Sequence, residues 1–179
     1  MEPKLEAIQK LISHVHNNNY AGFLVSGHTN TVTESLLQDN WKIQYPSETM
    51  PPVFSFDGEA NTILYKKDMS EETRVKEAQS IITRSFPNLN AHKDDKLCYV
   101  DETINSGYKY ERLKDIFKKL GFNHVDFAFF AGMENHEYDN EVFIGVKDDE
   151  LTGRFVIESL AIHGYESDVN KVLPKNALR

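Results

Sequence analysis

The chain has 179 residues, 27% of them charged and 40% hydrophobic, a balance that predicts one globular domain over residues 1–179 with a sizeable core. Its 20 basic and 28 acidic residues give a net charge of −8, which argues against nucleic acid or an anionic membrane as the main partner. The single cysteine excludes an intramolecular disulfide, and the lack of a signal peptide and of an apolar run of about 18 residues predicts a cytoplasmic protein.

The first elements predicted along the chain are a helix, a strand and a second helix. Residues 3–16 carry apolar side chains at helical spacing and are followed by three asparagines, which disfavour a helix interior. Residues 22–25 form a short apolar run, typical of a buried strand. A capping-box spacing predicts a helix over residues 31–38. The turn between them, residues 26–30, would present backbone N–H groups and a helix dipole, which suit an anion.

The middle of the chain predicts a strand, a hairpin and a helix. The strand covers residues 41–45. Residues 62–65 would pair with residues 53–56 across an Asp-Gly turn, the usual signal of an antiparallel hairpin. Ser70 is the predicted cap of a helix that runs to about Ser85.

The strongest functional signal lies between Leu97 and Gly107. Residues 97–100 predict a short buried strand, and two carboxylates, Asp101 and Glu102, follow at its end. The polar turn Thr103–Gly107 comes next and leads into a helix. Ligands of parallel α/β sheets bind at the carboxyl ends of strands, and a turn that opens a helix suits a phosphate. Carboxylates instead suit sugar hydroxyls or Mg²⁺, so the run predicts a site for a phosphorylated ribose.

The remaining elements complete a parallel α/β unit. A helix after Gly107 would end near Gly121, and residues 125–130 predict the next strand. Residues 134–141 form an acidic connection whose spacing fits a solvated loop better than a metal site. Residues 142–146 predict a strand, residues 151–163 are compatible with either helix or strand, and residues 165–179 predict a loose tail.

The run from Leu97 resembles the phosphoribosyl-pyrophosphate (PRPP) motif of type I phosphoribosyltransferases: four apolar residues, two acids, three variable residues, Ser or Thr, then Gly. Every fixed position is matched. The resemblance implies that Asp101 and Glu102 are the catalytic pair and hold the ribose hydroxyls, directly or through magnesium. It also implies a loop around the 5′-phosphate made of Thr103, Ile104, Asn105, Ser106 and Gly107.

The resemblance extends more loosely to other parts of the chain. Family members cradle pyrophosphate in a small-residue loop after the first strand, whose counterparts here are Ser26, Gly27, His28 and Thr29. A plain helix start explains that loop nearly as well. Lys66 and Lys67 are the nearest cations in sequence for a pyrophosphate, although solvated lysines are as consistent with their position. The stretch Phe130–Met133 would frame the base pocket.

The fold that the resemblance implies is a single α/β domain with a mainly parallel central sheet flanked by helices and a small antiparallel hairpin excursion. The implied activity is transfer of ribose-5-phosphate between PRPP and a nitrogenous base, with Mg²⁺ as cofactor and pyrophosphate as product. The implied partners are small molecules, with neither nucleic acid nor membrane among them. Many family members dimerise, so the resemblance allows a homodimer, but the sequence itself does not indicate the oligomeric state.

Other interpretations compete with the enzyme. A Walker B strand would require a Gly-Lys-Ser/Thr phosphate loop, which the sequence lacks. An ordinary strand end with solvated acids treats the spacing of Ser106 and Gly107 as chance. Asn105 stands where the hypoxanthine-guanine branch carries Asp, and an amide cannot act as an acid or base, which disfavours that branch. The main alternative is a non-catalytic module of the same fold that binds PRPP or a nucleotide.

Overall fold

A computed structural model describes residues 2–27 and 30–162 of the chain, and every structural statement below concerns these residues. Five strands form one sheet in the order β2-β1-β3-β4-β5, and every neighbouring pair is parallel. The predicted mainly parallel α/β fold is therefore confirmed. The strands are β1 (Gly22–Ser26), β2 (Val53–Phe56), β3 (Lys96–Ile104), β4 (His124–Gly132) and β5 (Val142–Lys147).

Helices cover both faces of the sheet. They are α1 (Pro3–Asn17), α2 (Asn30–Gln44), α3 (Glu59–Ile63), α4 (Glu71–Ser85), α5 (Tyr108–Lys119) and α6 (Asp149–Ile162), with a short 3₁₀ turn at Leu89–His92. One core lies between the sheet and α1, α2 and α6, and the other lies between the sheet and α3, α4 and α5. No helix in the described part of the chain is both long enough and apolar enough to cross a membrane.

Local signals fix several boundaries where the sequence predicts them. Ser70 caps α4 by accepting a hydrogen bond from the Thr73 backbone N–H at 3.2 Å. Gly121 follows α5 with φ of +88°, a left-handed conformation that glycine adopts without steric cost. The ambiguous segment after residue 150 is helical as far as the structure describes it, within α6. The predicted tail, residues 165–179, lies outside the described residues.

The strand predicted over residues 41–45 is wrong, because residues 41–44 form the last turn of α2. Leu37 and Trp41 are one helical turn apart, and both are buried in the same core. Asn40 does not end the helix, and its side-chain amide donates to the Leu36 carbonyl at 2.9 Å.

The predicted antiparallel hairpin excursion is also wrong. Residues 53–56 form β2, which pairs with β1 in parallel, and the helix α3 takes the place of the return strand. The Asp57 carboxylate accepts a hydrogen bond from the Glu59 backbone N–H at 2.9 Å. The Asp-Gly pair therefore begins a short helix, since the local hydrogen bond that can start a hairpin turn can equally start a helix.

Candidate functional site

The motif lies where the winding of the sheet reverses. From β1 the chain passes through α2 to β2 on one side, and it then returns through α3 and α4 to β3 on the other side of β1. Ligands of open α/β sheets bind in the crevice outside the carboxyl ends of two such strands. Ser26 and Gly27 stand at that end of β1, and the motif stands at that end of β3. The fold thus places the two segments predicted to bind phosphates at the same end of two neighbouring strands.

The described part of the first loop is tightly packed. Ser26 is buried at the end of β1, and the Gly27 backbone N–H donates to the Phe56 carbonyl at 2.6 Å. A Cβ at Gly27 would lie 2.9 Å from the Gly58 backbone nitrogen, so the close approach of these two segments requires glycine. His28 and Thr29, the other predicted members of this loop, lie outside the described residues.

The two acids of the motif are buried and engage opposite helical layers. Successive strand residues point to opposite faces of a sheet. Asp101, on the α5 side, accepts a hydrogen bond from the Tyr99 hydroxyl at 2.9 Å. Glu102 accepts one from the Thr33 hydroxyl of α2 at 3.1 Å. The two carboxylates therefore lie on opposite faces of the sheet. A shared role as ribose ligands would instead require both of them to reach the same ligand.

Asp101 already has partners on both carboxylate oxygens. Its Oδ2 accepts from Tyr99 and forms an ion pair with the Lys109 ammonium, and its Oδ1 accepts from the Glu102 backbone N–H at 2.8 Å. The exposed fraction of Asp101 is 3%. The Asp101 carboxylate is therefore held by three donors of the protein itself, without any ligand.

The sequence analysis missed Lys109, the cation of this cluster. Lys109 lies in the first turn of α5, two residues after Gly107, and its side chain is 22% exposed. Burial opposes its charge, but the Asp101 carboxylate outweighs that effect and the pKa of Lys109 is raised. Lysine is unfavourable near the positive end of a helix dipole. A lysine two residues after the glycine of the motif was the signal available in the sequence.

The phosphate loop is shorter than the motif predicts. β3 continues through both acids, and Thr103 and Ile104 pair with Ala131 and Gly132 of β4. Only residues 105–107 form the turn that leads into α5. Gly107 has φ of +79°, and no atom lies within 4 Å of the position that a Cβ would take. The turn therefore faces open space at the start of a 12-residue helix.

A tyrosine in the β4–β5 connection holds this turn. The Tyr138 hydroxyl lies 2.9 Å from the Ile104 carbonyl and 2.6 Å from the Asn105 carbonyl, and it accepts from the Met133 backbone N–H at 3.1 Å. Beside it, a cavity of about 380 Å³ runs between Ser106, Gly107 and the connection. The acidic connection thus forms one wall of a groove next to the motif, a placement that only the tertiary structure shows.

Three other regions do not support the site. A larger cavity, about 630 Å³, lies at the opposite end of the strands, near the starts of β3 and β4, and no residue of the motif lines it. Phe130 and Ala131, expected to frame a base pocket, are instead fully buried, and the Phe130 ring stacks on Phe155 with centroids 5.9 Å apart. Lys66 and Lys67 are exposed after α3.

Among the described residues, no group of three or more His, Cys, Asp or Glu side chains could hold a metal ion. Asp101 has its oxygens engaged, as described above. The described residues alone therefore form no metal cage, and Mg²⁺ at this site would need phosphate oxygens as ligands, a common arrangement for this ion.

Comparison with known proteins identifies the fold. No family model matches the sequence, and no curated protein matches it. A hypoxanthine-guanine-xanthine phosphoribosyltransferase superposes with a TM-score of 0.52 at 7% identity, over 80% of this chain and 75% of its own. A hypoxanthine-guanine phosphoribosyltransferase from Bacillus anthracis gives 0.50 at 13% identity, over 83% and 80%.

A third similar structure is a hypothetical protein from Neisseria gonorrhoeae with bound ppGpp, with a TM-score of 0.52 at 13% identity, over 81% of this chain and 78% of its own. The common feature at such low identity is the fold. The chain therefore has the type I phosphoribosyltransferase fold, as the resemblance of its motif implies.

Proposed function

We propose that the chain binds PRPP at the carboxyl ends of β1 and β3 and transfers its ribose-5-phosphate to a nitrogenous base, with release of pyrophosphate. The observation that supports this most directly is the position of the motif. Its acids and its open turn stand at the switch point of the sheet, next to the end of β1. Phosphorylated ligands bind at such places in α/β folds because the crevice offers backbone N–H groups and a helix dipole.

Each part of the substrate has a proposed partner. The 5′-phosphate would lie in the turn 105–107, where N–H groups at the start of α5 and the Ser106 hydroxyl can donate to it. The Glu102 carboxylate would accept from a ribose hydroxyl. The pyrophosphate would lie near Ser26 and Gly27, and this loop continues into residues that the structure does not describe.

In the transfer, the bond between C1′ and the pyrophosphate oxygen breaks and its electron pair leaves with pyrophosphate. The lone pair of a ring nitrogen forms the new C1′–N bond, and the proton of that nitrogen passes to solvent, since Asn105 cannot take it. Positive charge develops on the ribose, and the buried Glu102 carboxylate would offset it. The protein's contribution is therefore positioning and electrostatics.

Magnesium belongs to the proposal as the partner of the pyrophosphate. Its charge would neutralise the leaving group, with Glu102 and phosphate oxygens as ligands. Titrating PRPP once with Mg²⁺ and once without it tests this part separately, and equal affinity in the two titrations would remove Mg²⁺ from the proposal.

A second candidate is a regulatory module that binds PRPP or a nucleotide without turnover. Asn105 cannot exchange a proton, and Asp101 is held by Lys109, so the described site offers little acid–base chemistry. The fold neighbour from Neisseria gonorrhoeae, whose structure holds ppGpp, makes guanosine tetraphosphate a reasonable ligand to include in the test.

The deciding experiment is calorimetric titration of the full chain with PRPP in Mg²⁺, with ribose 5-phosphate, pyrophosphate and ppGpp as separate ligands. Pyrophosphate release is then followed across a panel of purine and pyrimidine bases. Glu102→Gln should weaken PRPP binding at least tenfold, because an amide cannot replace a charged acceptor. Asp126→Asn is the matched control, since Asp126 also accepts from a side-chain hydroxyl, that of Tyr20, but lies near the start of β4.

The outcomes separate the two candidates. Binding of PRPP with pyrophosphate release for one base supports the enzyme. Binding of PRPP or ppGpp with no release across the panel supports the regulatory module. If none of the phosphorylated ligands binds, the site assignment is wrong.

A further inference from the structure

The Lys109–Asp101 ion pair has not been assigned to any part of the substrate in the proposed function. The pair lies at the carboxyl end of the central strand, within the proposed PRPP site, with Asp101 buried and the Lys109 side chain 22% exposed. Tyr99 shares the same carboxylate oxygen, and Asn61 donates to the Tyr99 hydroxyl at 3.4 Å. Tyr65 lies close enough to interact electrostatically with both Lys109 and Asp101. The ammonium is thus held in a polar cluster at the base of the site.

The position of Lys109 is unfavourable for an ammonium group unless an anion interacts with it. Its ammonium is largely removed from water, and it sits in the first turn of a helix, where the dipole repels a cation. An apolar side chain would fill the same space without the desolvation cost. Buried ion pairs of this kind contribute little net stability compared with well-packed apolar groups. A cation kept there against both costs is therefore a candidate for binding an anion.

We infer that Lys109 is the phosphate-binding cation of this site and that Asp101 is its positioning residue rather than a ligand of the ribose. This rests on the proposed function, which it deepens by dividing the two acids of the motif. Both carboxylate oxygens of Asp101 already interact within the protein, with Lys109, Tyr99 and the Glu102 backbone N–H. Glu102, on the other face of the strand, is then the acid that acts on the ribose.

The ligand chemistry follows from the position. Lys109 is two residues beyond Gly107, the glycine of the open turn, so a phosphate seated in that turn lies at the start of the same helix. Lys66 and Lys67 lie outside this cluster. Arg112 and Lys114 line the cavity beside the turn, but they pair with carboxylates outside the motif, Arg112 with Glu71 and Lys114 with Asp139 and Glu141. A phosphate of a phosphorylated ribose would share the ammonium with Asp101, and the anion would gain a charge-assisted hydrogen bond.

A double-mutant cycle in the full chain tests the inference. Affinities for ribose 5-phosphate, inorganic pyrophosphate and PRPP are measured for wild type, Lys109→Met, Lys109→Arg, Asp101→Asn and the Asp101→Asn/Lys109→Met double variant. Lys10→Met is the matched control, because Lys10 pairs with Glu6 on the exposed side of α1. Urea unfolding of every variant shows which are folded. The double variant removes both charges at once, so it tests binding even if a single variant fails to fold.

The inference predicts that Lys109→Met weakens ribose 5-phosphate or pyrophosphate binding about ten- to hundredfold, while Lys109→Arg keeps much of the affinity and Lys10→Met keeps all of it. The ligand that loses affinity identifies which phosphate Lys109 binds. Because Asp101 would act through Lys109, the effect of Asp101→Asn on affinity should disappear in the Lys109→Met background.

Two results would overturn the inference while leaving the proposed function in place. One is wild-type affinity for all three ligands in folded Lys109→Met. The other is an Asp101→Asn effect of equal size with and without Lys109, which would make Asp101 a direct ligand of the ribose. If wild type itself binds none of the three ligands, the proposed function fails and the inference fails with it.

Discussion

Two glycines flank α5, and the one that follows the helix, Gly121, is a control for the one in the phosphate turn, Gly107. Gly107 has φ of +79° and Gly121 has φ of +88°. A Cβ would meet nothing within 4 Å at Gly107 apart from its chain neighbours, and at Gly121 its nearest contact would be the flexible Lys93 side chain at 3.6 Å. The two sites therefore carry a similar backbone cost for alanine, and only one of them adjoins the proposed ligand.

We expect Gly107→Ala and Gly121→Ala each to lower the free energy of unfolding by about 1–2 kcal/mol, because L-residues are strained at positive φ. Only Gly107→Ala should weaken ribose 5-phosphate binding, at least tenfold, because its methyl group enters the space of the phosphate. Urea unfolding and calorimetry measure the two effects. Equal binding by both variants would remove the turn from the site.

The histidines of α1 make opposite contributions to the pH dependence of stability. His14 stacks on Phe143 with ring centroids 3.8 Å apart, and burial lowers its pKa. His14 therefore stabilises the fold above its ordinary pKa, and this contribution is lost as the pH falls below about 6.5. The hydrogen bond to Glu48 raises the pKa of His16, so its contribution is present at acidic pH and is lost as the pH rises.

We expect His14→Phe, which can keep the stack on Phe143, to lose less stability than wild type when the pH falls from about 7.5 to 5.5. His16→Phe should lose more than wild type over the same range, because it lacks the stabilising protonation. Urea unfolding at a series of pH values checks both signs. Parallel pH profiles for the two variants would contradict the argument.

Among the elements, the β4–β5 connection links the end of the sheet to the turn of the motif. It runs without a helix between two parallel strands, and Tyr138 at its centre reaches the carbonyls of Ile104 and Asn105. The hydroxyl has one proton and donates to one of these carbonyls at a time, while it accepts from the Met133 N–H. A single side chain therefore fixes the geometry of the turn from outside it.

Tyr138→Phe should lower the free energy of unfolding by about 1–3 kcal/mol, because it removes the donated and the accepted hydrogen bond and leaves backbone groups unpaired. It should also weaken ribose 5-phosphate binding although Tyr138 is not a proposed ligand. Tyr45→Phe, at the far end of α2, is the control. Unchanged hydrogen exchange at residues 104–107 in Tyr138→Phe would show that the hydroxyl does not hold the turn.

The elements also show what local sequence could and could not predict. The run from Leu97 was predictable as strand, turn and helix because apolar periodicity and Gly107 act locally. The strand proposed at Trp41 failed because a short apolar run suits either element, and packing on the sheet selected the helix. Lys109 was missed for a similar reason. Its partner Asp101 is eight residues away, across a turn whose path only the tertiary structure defines.

On the scale of the whole molecule, two hydrophobic cores share one sheet. Leu113 of α5 is fully buried in one of them, and Trp41, the single tryptophan, is buried in the other. β3 contributes to both, since Tyr99 packs into the first core and Cys98 into the second. If the helices on one face unfold, the strands lose half of the packing that holds them, and these same strands form the core on the other face.

We therefore expect the described layers to unfold as one cooperative unit. Leu113→Ala should lower the free energy of unfolding by about 2–5 kcal/mol, the usual cost of a cavity at a buried leucine. Although Trp41 lies on the opposite face, its fluorescence transition should shift to lower urea by the same amount as the far-ultraviolet circular dichroism, since both report one transition. Ile12→Ala, in the Trp41 core, should shift both signals together in the same way. A Trp41 transition that keeps its midpoint while the circular dichroism shifts would mean that the two faces unfold separately. The proposed site at the carboxyl ends of β1 and β3 could then be lost while the α1 side remains folded.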